Sequence, residues 1–119
     1  MSSIFLAGHG LTPSHSSTDF PRPERLVKGN PRRQTESMYE HPNMGCGIWH
    51  CEVGAWNIEF AENKQEFFQV IEGIVRIHNQ KTQSYIEIQA GDAGIIPPGF
   101  VGTFEVIQAV KKYYVLVEI

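Results

Sequence analysis

The side chains able to do chemistry in this chain are few and far apart. Glu66 and Glu62 are carboxylates, Lys112 is an ammonium and Tyr114 a phenol. Strand parity groups them. Trp56, Ile58, Phe60 and Glu62 alternate onto one face of their run, and Glu66 and Phe68 continue it if the intervening turn keeps register. Gly102, Phe104 and Val106 share a face of another run, as do Lys112, Tyr114 and Leu116. If these faces meet, Trp56, Phe60, Glu62, Phe68, Phe104 and Tyr114 line a ligand-binding pocket that holds Glu66 and Lys112. Mostly apolar pockets with a few convergent polar groups suit small polar or zwitterionic ligands. If the site is catalytic, the least demanding chemistry is acid/base work by Glu66, with Lys112 or Tyr114 polarising an oxygen. Isomerisation, lyase chemistry or hydrolysis of a C–N bond fits that equipment. The same residues also serve as ordinary core aromatics and a structural ion pair.

Other chemistries find less support. Cys46 and Cys51 are the only cysteines. On one strand, five residues at about 3.3 Å each hold them beyond disulfide reach, so free thiols are expected. With His50 between them, their spacing matches no common zinc pattern. His9, His15 and His41 fall in a segment where nothing organises them, and His50 and His78 are lone histidines in strand-like runs. No Ser-His-Asp or Cys-His arrangement and no glycine-rich phosphate loop is recognisable.

A chain of 119 residues, 41% hydrophobic, fits one soluble domain. The net charge is −3. Residues 1–42 carry five basic and four acidic side chains, and residues 43–119 carry five basic and nine acidic. No basic face is present to neutralise phosphates, which argues against nucleic acid. No apolar run reaches the ~18 residues of a membrane span. The patch Ile4–Ala7 lacks the basic flank and length of a signal peptide, so a cytoplasmic protein is expected.

The elements that must position these groups change character near residue 43. Residues 1–42 are rich in Ser, Pro, Arg and His and read as an extended N-terminal arm, with one short strand or turn around Ser37–Tyr39. Its basic cluster, Arg22 to Arg33, is broken by Pro21, Pro23 and Pro31 and reads as solvated. Residues 43–119 fall into short strand-like runs: Gly47–Glu52, Ala55–Phe60, Glu66–Glu72, Ile74–His78, Tyr85–Gln89, Ala93–Ile96, Thr103–Ile107 and Lys111–Ile119. Trp49 and Tyr113 are expected on the face opposite the pocket. About eight or nine short strands with so many edges imply an all-β sandwich or barrel.

Two glycine-bounded segments carry a more specific signal. The first, "GAWNIEFAENKQEFFQVIEG", spans Gly54–Gly73, and the second, "GDAGIIPPGFVG", spans Gly91–Gly102. They resemble the two motifs of the cupin superfamily of jelly-roll barrels. Gly54, Glu66 and Gly73 stand at matching places in the first, and Gly91, Asp92, Pro97 and Gly99 in the second. The resemblance runs from about Trp49 to Glu118 and implies a single jelly-roll barrel. It also implies where metal ligands would fall: histidines at Phe60 (or Glu59) and Glu62 (or Ala61), the carboxylate at Glu66 and a histidine at Gly102. Of these four only Glu66 is present. Glu62 and Glu66 without imidazole make at best a weak, hard-oxygen divalent site, so no metal cofactor is expected. The strings "GIWHCEVGAW", "IEGIVRI" and "KKYYVLVEI" are similar to the branch named after the ureidoglycine aminohydrolase cupin domain, which includes ethanolamine-utilisation cupins. In that branch a glycine at Gly102 is usual. Small cupins are commonly dimers, so a homodimer is the implied assembly.

Three functions are compatible with these residues. They are a metal-independent small-molecule-binding cupin, an enzyme on small nitrogenous metabolites with Glu66 as acid/base, and an accessory subunit whose pocket is filled by side chains.

Overall fold

Turn residues cut the chain into strands, and two of those strands outrun their apparent breaks. In the computed structural model, residues 4–8 and 10–119 are described, so His9 lies outside the described residues. Among the described residues there are nine strands: β1 (His15–Asp19), β2 (Leu26–Lys28), β3 (Arg33–His41), β4 (Met44–Cys51), β5 (Gly54–Glu59), β6 (Lys64–Asn79), β7 (Ser84–Gln89), β8 (Ala93–Ile96) and β9 (Val101–Glu118). A single 3-10 turn, Pro23–Arg25, precedes β2. All pairing is antiparallel, in the order β1-β3-β4-β9-β5-β2, and β6 pairs with β9, β8 and β7. The fold is all-β, a jelly-roll barrel with β6 and β9 as its spine. On its other edge β9 carries β5 along its first half and β4 along its second. In the same way β6 carries β8 and then β7.

The two expected runs Glu66–Glu72 and Ile74–His78 are one strand, as are Thr103–Ile107 and Lys111–Ile119, except that the latter strand ends at Glu118. Gly73 bends the chain without ending it. Its φ is +93°, and an added Cβ would run into the carbonyl oxygen of Ala109. The β6–β9 register shifts on both sides of this point. Such a bulge inserts a residue, flips the alternation and raises local twist. The core shows the flip: Phe68 and Val70 point inward before Gly73, and Val75 does so after it.

The inward residues of both halves make one core, with Phe68, Val70, Val75, Ile88, Ile96, Phe104, Val106 and Val110 at its centre. Gly91, with φ +93°, and Asp92 turn the chain from β7 into β8; Asp92 N–H donates to the Gln89 carbonyl at 2.8 Å. Gly99, with φ +72°, follows Pro97-Pro98 in the turn into β9, where Phe100 N–H reaches the Pro97 carbonyl at 3.3 Å.

Residues 15–41 hold more structure than one short strand near Ser37. β3 pairs with β4 along most of its length, β1 covers β3, and β2 pairs with β5. The apolar-alternation test misses β3 because its inward side chains, Arg33, Thr35 and Ser37, are polar. Cys46 and Cys51 both lie on β4 as free thiols. Burial pushes the Cys51 thiol up to about 12 and also raises that of Cys46.

Candidate functional site

β5, β6 and β9 bring their inward faces together at one end of the barrel, with β3 and β4 closing the side. The resulting pocket has a volume of about 360 Å³. Six of the residues expected there line it: Trp56, Phe60, Glu66, Phe104, Lys112 and Tyr114. The register shows why. Trp56 on β5 stands opposite Phe104 on β9, and Phe68 on β6 stands opposite Tyr114 on β9.

At the floor, Lys112 Nζ donates to Glu66 Oε2 at 2.7 Å. Lys112 is only 4% exposed. Its ammonium lies 4.3 Å from the Phe68 ring centre, 4.6 Å from Trp49 and 4.9 Å from Phe104. Desolvating a charge this far demands a counter-ion and polarisable surroundings, and Glu66 with three ring faces supplies both. Among the described residues Glu66 is the only protein acceptor for Lys112, so two of the three ammonium donors have no acceptor there. Burial raises the Tyr114 phenol above its ordinary value, against the opposing effect of a hydrogen bond with Ser37.

Two expected pocket residues sit elsewhere. Glu62 is exposed in the turn between β5 and β6, its carboxylate against Gly99, and it does not line the pocket. The turn does not keep register through residues 61–63, so the β5 parity stops at Phe60. Phe68 is fully buried beneath the pocket and supports Lys112 from below. Trp49 corrects the parity reading in the other direction. It lines the pocket, with its ring 5.6 Å from Phe104 and edge-on to it, and 6.1 Å from Trp56. Its run is too short for alternation to say which face is inward.

Sequence reading missed Arg33, Thr35 and Lys64, which also line the pocket. Arg33 lies 5.2 Å from the Trp56 ring centre and donates to both carboxylate oxygens of Asp19, at 2.9 and 2.7 Å. The signal was present in the alternation Arg33, Thr35, Ser37, once polar residues are allowed on an inward face.

The residues do not fit the imidazole-based centre that the cupin motifs imply. Gly102 has no room for a histidine, because an added Cβ would run into the carbonyl oxygen of His78. Phe60 lines the pocket with a ring, and Glu66 is already neutralised by Lys112. Among the described residues no three His, Cys, Asp or Glu side chains converge. His50 pairs with Glu36 at 2.7 Å and His78 with Glu105 at 2.8 Å, and neither histidine lines the pocket. His78 borders a second cleft of about 390 Å³, polar and open, where Arg25 donates to the Asn57 carbonyl. None of the aromatic or charged residues of the first pocket lines it. The first pocket is the candidate site, since among the described residues it holds a charged pair, Lys112–Glu66, desolvated against aromatic walls.

A family model described as an EutQ-like cupin domain matches residues 40–114. No curated protein matches the chain. A Pseudomonas syringae protein of unknown function from the DUF861 family superposes with a TM-score of 0.76 at 18% identity. The match covers 87% of this chain but only 45% of that one, so this chain spans about half its length. The EutQ protein of Clostridium difficile superposes at 0.66 with 22% identity, covering 84% of this chain and 80% of that one. A putative ethanolamine utilization protein from Salmonella typhimurium gives 0.64 and 19%, covering 83% and 78%. At these identities the structural likeness speaks to the fold alone. Among the described residues no helix is long and apolar enough to cross a membrane.

Proposed function

The chain belongs to the EutQ-like cupin family, and from that premise we propose that it binds a small polar or zwitterionic metabolite without the usual cupin metal centre. The observation that supports this most is the buried Lys112–Glu66 pair at the floor of an aromatic pocket. A donor with spare hydrogens beside a carboxylate offers complementary contacts to a ligand, and Trp49, Trp56 and Phe104 supply apolar walls. The pair supplies a fixed cation and anion, which is how a binding site gains orientation without a metal.

Metal analysis of protein grown without added metal, followed by a thermal-shift screen of metabolites, tests the reading. Selective stabilisation of metal-free protein by a ureide, amine or carboxylate is the expected result. Stoichiometric bound metal, or a screen with no stabilising compound, contradicts it. Turnover of a stabilising compound would move the protein to the enzymatic reading, with Glu66 and Lys112 as the working groups.

We further propose that the protein works as a homodimer. The support is an apolar groove of about 380 Å³ bordered by Phe67, Ile86 and Ile95, the last two each 69% exposed. The chain also carries an exposed apolar segment, Ile4-Phe5-Leu6. A second copy provides apolar cover for both.

A further inference from the structure

The charge distribution around the pocket narrows the class of ligand, an inference that rests on reading the pocket as a ligand site. The described chain is acidic overall, yet the pocket wall is not. Three cations line it, Arg33, Lys64 and Lys112, against one carboxylate, Glu66. Two of the cations have partners. Arg33 is held bidentately by Asp19, and Lys112 by Glu66.

Lys64 has no ion-pair partner among the described residues. Its ammonium lies 5.5 Å from the centre of the Phe60 ring, itself a wall of the pocket. It sits two residues before Glu66 on β6, about 6.6 Å along the strand and on the same face. Glu118, its cross-strand neighbour on β9, is outside the pocket lining. The pocket lining therefore holds one positive charge, Lys64, that makes no ion pair among the described residues. At its floor, Lys112 has two donors without protein acceptors.

Both features ask for the same complement. A partly buried ammonium short of acceptors gains most from an anionic oxygen, because charge-assisted hydrogen bonds are shorter and stronger than neutral ones. A carboxylate has two such oxygens in one plane. The walls offer an aromatic surface: Trp56 and Phe104 pack on one another with ring centres 5.3 Å apart, and Trp49 stands edge-on to Phe104, so a flat ring is the body that packs best on them. Aromatic rings pack well in such offset and edge-to-face arrangements. An amine would meet Lys112 and Lys64 as like charges, with Glu66 already taken on one oxygen.

We propose that the pocket takes a small planar monocarboxylate. Its carboxylate accepts from Lys112 on the floor and faces Lys64, and its apolar body lies against Trp49, Trp56 and Phe104.

Isothermal titration with three probes of one shape tests this: benzoate, benzamide and benzylamine. Benzoate is expected to bind about tenfold or more tighter than the other two, a difference of about 1.4 kcal/mol or more. Added salt and the Lys64→Gln variant should each weaken benzoate several-fold and leave benzamide unchanged. Lys64 is partly exposed and makes no ion pair among the described residues, so the variant should fold, and its melting curve checks that. Benzamide or benzylamine binding as tightly as benzoate overturns the ligand class while the pocket stands as a binding site. If none of the three binds and the metabolite screen is also empty, both the class and the binding reading fall.

Discussion

The Lys112–Glu66 pair is where the residue-level account is most exposed to test. Removing one partner leaves the other buried and uncompensated, whereas replacing both with apolar groups removes the desolvation cost altogether. Glu66→Gln and Lys112→Met are therefore each expected to lower stability by about 3–5 kcal/mol. The double change Glu66→Leu/Lys112→Met should recover most of that loss. Chemical denaturation of the three variants measures it, and a double variant as unstable as the sum of the singles would show that the pair is not a desolvated unit. Cys51 gives a second residue-scale expectation. Burial holds its thiol protonated up to about 12, against an ordinary 9.0. Between those values the unfolded chain releases a proton that the folded chain keeps, so stability falls as pH rises through that window. The wild-type stability curve should drop more steeply there than that of Cys51→Ala. Parallel curves for the two would contradict the assignment. Glu66 and Lys112 were both legible from sequence parity. Arg33 and Trp49 were not, because one is polar on an inward face and the other sits in a run too short to show its phase.

At the scale of elements, the barrel depends on β6 running unbroken through Gly73. The glycine looks like a strand end in the sequence, since its freedom to adopt positive φ serves a turn as well as a bulge. Only the neighbouring chain shows that Gly73 lies against the Ala109 and Gln108 carbonyls of β9 with a positive φ. Gly73→Ala adds a Cβ both to a strained backbone region and to a space already filled. It should cost at least about 1–3 kcal/mol from backbone strain alone, read as a lowered denaturation midpoint. A neutral Gly73→Ala would mean that β6 and β9 do not approach so closely. β3 shows the opposite limit. Its side chains Arg33 and Thr35 line the pocket from within a Ser-, Pro- and Arg-rich segment, where the sequence indicated only a short strand or turn around Ser37–Tyr39. Cross-strand pairing with β4 decides it, and a single sequence does not display pairing.

For the whole molecule, the jelly-roll was legible through the resemblance of Gly54, Glu66, Gly73, Gly91, Pro97 and Gly99 to the cupin motifs; in the structure Gly73 sits at the β6 bulge and Gly91 and Gly99 in turns, all three with positive φ. Assembly was less legible, since outward apolar residues such as Ile86 and Ile95 look like core residues until the fold shows their exposure. Light scattering is expected to find a dimer, and an Ile86→Asp/Ile95→Asp variant to run as a folded monomer. A wild-type monomer would contradict the proposed covering of that face. The central claim, a pocket that binds its ligand without a metal, has an internal reporter. The chain has two tryptophans, Trp49 and Trp56, and both line the pocket. Tryptophan fluorescence of the protein should therefore be followed while the strongest stabiliser from the screen is titrated in, once with excess EDTA and once with added manganese or zinc. A saturable change with the same midpoint in both is expected. A change that appears only with metal, or no change in either, would contradict it.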